Sequence, residues 1–350
     1  MIRSGGRRWR PGLSVILLLV AGSLDAETEP EESMAALNPP AVAPKIGRPV
    51  RIVSLSFHQQ SLEKIVAAVD REAAAGLDLV ALPEAWPGQT PETLEGPTTT
   101  AMRELARKHQ TYLVSPIYRL ENGRRYNSSI LIGRQGEIVG IYNKVYPFWE
   151  EFLLDPPTEV GEEAPVFSTD FGKVGLALCF DCNFNEVWQR LADQGAELVI
   201  WSSAYSGGTS LQAHALNYHY YIVTSTLTQD CIVYDITGEE ILYEKGNGLQ
   251  VTRITLDLDR GIYHQNYQIP EKLDRLLAEH GDEVTLEKYM EREAWCVLRA
   301  TKPGVSARTL ARQYGMEELR DYLARSRRQI DRQRGFPFAT KILPLPENRP

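Results

Sequence analysis

Long apolar runs, cysteine and excess positive charge are all scarce in this 350-residue chain. A helix that crosses a bilayer needs about twenty consecutive apolar residues. The run at residues 13–21 is far shorter, and no other stretch is long and apolar enough to cross a membrane as a helix. Four scattered cysteines (Cys179, Cys182, Cys231 and Cys296) do not make a disulfide framework in a chain of this length. Acidic residues outnumber basic ones by 46 to 38, giving a net charge of −8, which argues against nucleic acid as the main partner. No internal repeat is present. A metal site also lacks its ligands. His214 and His219 are five apart, about 140° around a helix, so they share no face. Cys231 and Cys296 have no local partners.

What is present fits a globular protein with a sizeable core: 43% of residues are apolar and 24% charged. Arg3, Arg7, Arg8 and Arg10 precede the short apolar run, and small residues follow it. Residues 1–26 therefore read as a secretory signal cleaved after Ala26, with Leu24 somewhat large for its position. This predicts export to the periplasm or the medium. The alternatives are an N-terminal anchor or an ill-chosen start codon. In an oxidising compartment accessible thiols tend to pair, so at least one cysteine is expected to stay reduced for a chemical reason. Residues 27–48 carry Pro30, Pro39, Pro40 and Pro44 without periodicity and read as a linker.

From residue 49 to about 265, strand and helix signals alternate. A β-branched run at 50–57 precedes Leu62, Ile65, Val66, Val69 and Ala73 at helical spacing, stopped by Gly76. A buried strand at 79–82 ends in Pro83-Glu84, a helix covers 98–109, and 112–114 resumes the sheet. Segments 126–132 and 137–142 pair as a hairpin around Gln135-Gly136. Strands at 174–178 and 198–201 alternate with helices at 186–194 and 210–221. An extended 222–226 follows, and segments 231–235 and 251–258 are expected to close the sheet. The reading is an α/β domain with helices covering sheets. Residues 266–350 are expected to form a helical extension, an appendage for surface or oligomer contact, with amphipathic stretches such as 317–334. Its tail holds Pro337, Pro344, Pro346 and Pro350.

Three positions carry chemical promise. Lys173-Val174-Gly175-Leu176-Ala177-Leu178-Cys179 delivers a cysteine from an apolar strand to a sharp turn before a helix. Such an elbow exposes a nucleophile and aims backbone N–H groups near it. Leu79-Val80-Ala81-Leu82-Pro83-Glu84 places a carboxylate at the end of a buried strand, where α/β active sites form. Tyr142-Asn143-Lys144-Val145-Tyr146 sets one lysine among aromatics. Taken singly, each has an ordinary reading: a core cysteine, a capping or surface acid, a solvated lysine. Cys179 and Cys182 also form a C-x-x-C, which allows a thiol redox protein. Against that, Asp181 lies between them, and an anion beside a thiol disfavours the thiolate.

Together, Glu84, Lys144 and Cys179 fall 60 and 35 residues apart in sequence, each at a strand end. With Pro165-Val166-Phe167, Phe171-Gly172-Lys173-Val174-Gly175, Leu178-Cys179-Phe180-Asp181 and Gly195-Ala196-Glu197-Leu198, this resembles the carbon–nitrogen hydrolase (nitrilase-like) superfamily over about residues 50–260. The resemblance implies a four-layer α-β-β-α sandwich that pairs as a homodimer or higher oligomer. It implies Cys179 as nucleophile, Glu84 as general base, and Lys144 with the Phe180 backbone N–H as oxyanion donors. A second glutamate beside the lysine is implied too: Glu151, with Glu150 as the fallback. No metal or organic cofactor is implied. Phe180-Asp181 replaces the Trp-Glu of nitrile-cleaving members, which points to the amidase and carbamoylase branch and to a small amide or ureido substrate, with a nitrile as the alternative. Tyr205 and Trp149 are expected to line the pocket, unless they are simply packed aromatics. Asn183 and Asn185 stand where many relatives have Arg and Pro, which leaves substrate recognition open. Asn185 is expected to cap the following helix. A fold-conserving binding module without activity is a further alternative.

Overall fold

The computed structural model describes residues 45–337. The expected signal, nearly all of the linker and the end of the proline-rich tail lie outside the described residues.

The chain begins with β1 (Pro49–Phe57), α1 (Leu62–Ala73), β2 (Leu79–Ala81) and α2 (Pro97–His109). Ser61 caps α1 by accepting the Lys64 N–H, and Pro97 opens α2 where its missing N–H costs nothing. β3 (Tyr112–Glu121), β4 (Arg124–Ile132), β5 (Ile138–Asn143) and the short β6 (Thr158–Glu159) follow. The second half contains β7 (Val166–Ser168), β8 (Lys173–Leu178), α3 (Asn185–Asp193), β9 (Leu198–Ser203), α4 (Thr209–Tyr218), β10 (Tyr221–Thr226), β11 (Asp230–Tyr234), β12 (Glu240–Lys245) and β13 (Leu249–Asp257). Beyond them come β14 (Gly261–His264), α5 (Ile269–His280), β15 (Val284–Met290), β16 (Trp295–Ala300), α6 (Ala307–Gln313) and α7 (Leu319–Arg334).

Two sheets form the centre. One has the order β13-β1-β2-β3-β4-β5, with β6 paired to β4; the other runs β12-β11-β10-β9-β8-β7. Alternation divides the residues of β1 between two cores. Val53, Leu55 and Phe57 pack under α1 and α2 with Ile65, Val69 and Met102. Val50 and Ile52 face the other sheet, whose far side is covered by Val187, Trp188 and Leu191 of α3 and by Leu211 and Ala215 of α4. The sheets are stitched by buried hydroxyls: Ser54 donates to the Thr224 carbonyl and Ser225 to the Leu55 carbonyl, each at 2.7 Å. This is the expected α-β-β-α sandwich.

Two expectations need correction. Segments 231–235 and 251–258 do not close one sheet. β11 stays in the second sheet, while β13 crosses to the first and pairs antiparallel with the whole of β1, from Pro49 opposite Asp257 to Phe57 opposite Leu249. The extension is also not wholly helical. α5, α6 and α7 are there, but β14, β16 and β15 form a three-stranded sheet between them, with a separate core that includes Tyr263, Leu276, Cys296 and Leu298. β15 shows solvent one face bearing Glu287 and Tyr289, which disguised it as an amphipathic helix. The extension docks on the first residues of the domain and the β9 lead-in through ions: Arg308 bonds Glu197 at 2.6 Å, and Glu197 also pairs with Arg48.

Candidate active site

Glu84 follows the C-terminal end of β2, and Cys179 follows that of β8. The two parallel strands lie in facing sheets, so their ends converge at one edge of the sandwich. Lys144 follows β5 directly. Glu151 lies on a short 3₁₀ turn, Trp149–Leu153. All four side chains are buried, Lys144 with 1% of its surface exposed and Cys179 with 8%.

The lysine is held between two carboxylates. Its Nζ donates to Glu84 Oε1 at 2.7 Å and to Glu151 Oε1 at 2.6 Å. Asn127 on β4 braces both acids, its Nδ2 donating to Glu84 Oε1 at 2.9 Å and to Glu151 Oε2 at 2.8 Å. The Ala204 N–H holds the other oxygen of Glu84 at 3.0 Å, and the Phe148 N–H supports Glu151 at 2.9 Å. Tyr118 OH reaches Glu151 at 3.4 Å. Sequence reasoning missed Asn127 and Tyr118. Their signal was a polar residue on the inward face of a strand, which a hairpin reading absorbs without comment.

Cys179 has φ +43°, in a region that costs a side-chain-bearing residue of order 1–3 kcal/mol. The strain marks the elbow between β8 and the 3₁₀ turn Cys179–Asn183, whose leading N–H groups, Phe180 among them, have no carbonyl one turn back to bond. Asp181 anchors this elbow. It accepts the Leu178 N–H at 2.9 Å, Tyr142 OH at 2.7 Å and the Tyr146 N–H at 2.9 Å, tying the cysteine's turn to the segment that carries Lys144. Trp201 Nε1 donates to the Cys179 carbonyl at 3.1 Å.

The electrostatics follow from burial. Burial pushes the Cys179 thiol up, and Glu84 pushes it further; Lys144, the Ala204 N–H and the Ser203 hydroxyl oppose this without cancelling it. The resting sulfur is therefore a thiol that needs a base. Burial alone would lower Lys144, but the carboxylates of Glu84 and Glu151 hold its ammonium well above the ordinary lysine value. Burial raises Asp181 to about 6 in spite of its donors.

The remaining expected residues divide. Glu151, not the exposed Glu150, is the acid on Lys144. Tyr205 is half-buried; its OH lies 2.7 Å from Cys182 Sγ and its ring meets Trp201 edge-on. Trp149 is 58% exposed and leans on Phe148, which meets Phe180 edge-on at 5.4 Å. Asn185 does not cap α3. The helix already includes it, Phe184 holds the cap position, and its Oδ1 accepts Tyr218 OH instead. Asn183 Nδ2 turns back to the Phe180 carbonyl. Cys179 and Cys182 are both free thiols, as are Cys231 and Cys296.

Comparison with known proteins identifies the family. The family model described as carbon-nitrogen hydrolase matches residues 53–261. A nitrilase of Pyrococcus abyssi is 32% identical over 168 residues, 43% of this chain and 63% of that protein, so the match spans less than two thirds of that relative. A deaminated glutathione amidase of Synechocystis is 26% identical over 216 residues, 53% of this chain and 78% of that one. In fold, the crystal structure of Saccharomyces cerevisiae Nit3, a member of branch 10 of the nitrilase superfamily, matches with a TM-score of 0.53 at 19% identity, covering 61% of this chain and 91% of the other. With a match across more than half of its length, the chain belongs to the carbon–nitrogen hydrolase family.

Proposed function

We propose that this protein hydrolyses a non-peptide carbon–nitrogen bond, that of an amide or ureido group in a small molecule, through a thioester on Cys179. The observation that carries this is Lys144 clamped between Glu84 and Glu151 beside a strained, buried thiol. Glu84 takes the thiol proton as Sγ attacks the carbonyl carbon. The oxygen of the tetrahedral adduct takes up the negative charge, held by the Lys144 ammonium and the Phe180 N–H. Collapse breaks the carbon–nitrogen bond, and Glu84 passes its proton to the departing amine. Glu84 then takes a proton from water, which attacks the thioester; the acid leaves and the thiol is restored. Phe180-Asp181 after the nucleophile favours an amide or ureido group over a nitrile.

Ammonia release from a panel of small amides, carbamoyl amines and nitriles tests the reading, with Cys179→Ala in parallel. Ammonia that depends on Cys179 supports it. No turnover, together with a Cys179 inert to alkylation, favours a binding module. We also propose export through residues 1–26 and pairing with a second copy. The N-terminus of the mature protein and its mass in solution test these two points.

A further inference from the structure

Buried polar side-chain atoms normally find partners. Among the described residues, three that do not are neighbours: Arg125 Nε, Asn127 Oδ1 and Thr158 Oγ1. Arg125 and Asn127 are two apart on β4, so they point to the same face. Thr158 of β6 is the register partner of Arg125, and Tyr118 of β3 is that of Asn127. Arg125 is 4% exposed, Thr158 2% and Asn127 0%. The Arg125 guanidinium lies 5.4 Å from the centre of the Tyr118 ring, and its Nη2 donates to the Asp155 carbonyl at 3.0 Å. No carboxylate among the described residues pairs with it. A guanidinium offers five N–H donors in a fork that fits a carboxylate, and a buried cation without a counter-ion is costly.

The location gives the cluster a purpose. Asn127 already touches Glu84 and Glu151. β3 runs parallel to β2, and β4 runs antiparallel to β3. Arg125 therefore lies beyond Asn127 at the sheet end where the Glu84 loop leaves β2.

We infer that Arg125 and Thr158 form an anion subsite next to the catalytic centre, which takes a carboxylate carried by the substrate. The substrate is then an amide or ureido compound with a free carboxylate at its other end. This deepens the hydrolase reading and rests on it. The competing role for Arg125 is a fixed counter-charge to Glu151, relayed across Tyr118.

The test compares matched substrates: succinamate against butyramide, and glutaramate against valeramide. Wild type should favour the carboxylate member by about 10- to 100-fold in kcat/KM, the range for hydrogen bonds to a charged group. Arg125→Gln should collapse that ratio toward one, chiefly through KM, and Arg125→Lys should retain part of it. In calorimetry, succinate should bind wild type and not Arg125→Gln. A wild-type ratio near one overturns the inference, as does a ratio that survives Arg125→Gln while both substrates slow together. Absence of any Cys179-dependent turnover would sink the hydrolase reading instead, and succinate binding would still judge the subsite.

Discussion

Glu84 and Glu151, 67 residues apart in sequence, share one ammonium: Lys144 Nζ is 2.7 Å from the first and 2.6 Å from the second. Beyond that ammonium and Asn127 the two carboxylates have different partners, the Ala204 N–H for Glu84 and the Phe148 N–H and Tyr118 OH for Glu151. Glu84 is the one that also touches the nucleophile's surroundings, through the Ala204 N–H. Glu151 faces the lysine, Asn127 and Phe148. It is a positioning group for Lys144. Glu151→Gln should lower kcat about 10- to 100-fold with a smaller change in KM, because the amide oxygen can still accept from Lys144 but one counter-charge is gone and the NH₂ meets the Asn127 donor. Glu150→Gln, on the exposed neighbour, should change neither. Steady-state kinetics on the preferred amide checks both.

Glu84 plays against the thiol in two ways. Its charge raises the Cys179 pKa, and its oxygen supplies the base. Glu84→Gln removes both at once. Turnover should fall by about 10²- to 10⁴-fold, the usual scale for a lost general base. The thiol, freed of a nearby anion, should ionise at lower pH. The midpoint of iodoacetamide alkylation against pH should therefore move down in Glu84→Gln while catalysis is lost. A midpoint that moves up would mean Lys144 has also left the site.

Glu84 and Cys179 were legible because each ends a short apolar strand, where a polar residue breaks the pattern abruptly. Lys144 was legible only in their company. Asn127 was not, since it lies within a hairpin strand that already alternates, and nothing local shows that the inward face meets two acids. The crossing of β13 to the other sheet was hidden for a related reason. Periodicity reports that a segment is extended, while the choice of sheet depends on β1, nearly two hundred residues earlier. In the extension, β15 mixes apolar and charged side chains on an open face, and that pattern is shared with surface helices.

The C-x-x-C invites a redox reading that the site tests directly. Cys182 Sγ is 2.7 Å from Tyr205 OH, and its backbone carbonyl takes the His214 ring nitrogen at 2.9 Å, so both its ends have structural partners. A serine keeps the hydrogen bond to Tyr205. Cys182→Ser should leave amide hydrolysis within about threefold of wild type, the scale of one altered hydrogen bond in the interior. A dithiol redox protein would lose its function with that change. Parallel assays of ammonia release and disulfide reduction separate the two.

Asp181 is fully buried yet ionisable, and its hydrogen bonds join the Cys179 elbow to the Lys144 segment. Burial lifts it to about 6, above its ordinary value of 3.8. The sign is the reverse of the usual carboxylate case. The native state binds this proton more tightly than the unfolded chain, so from about pH 4 to 6 rising pH costs stability, and the whole cost is in place above 6. Asp181→Asn should remove that slope from a plot of urea midpoint against pH. The replacement is not free, because both oxygens accept backbone N–H groups, and an amide must turn its NH₂ toward one of them. The elbow should loosen, so kcat should fall at every pH even as the pH dependence of stability flattens. An unchanged slope in Asp181→Asn would assign the titration to another group. An unchanged kcat would mean that the elbow holds its shape without this anchor.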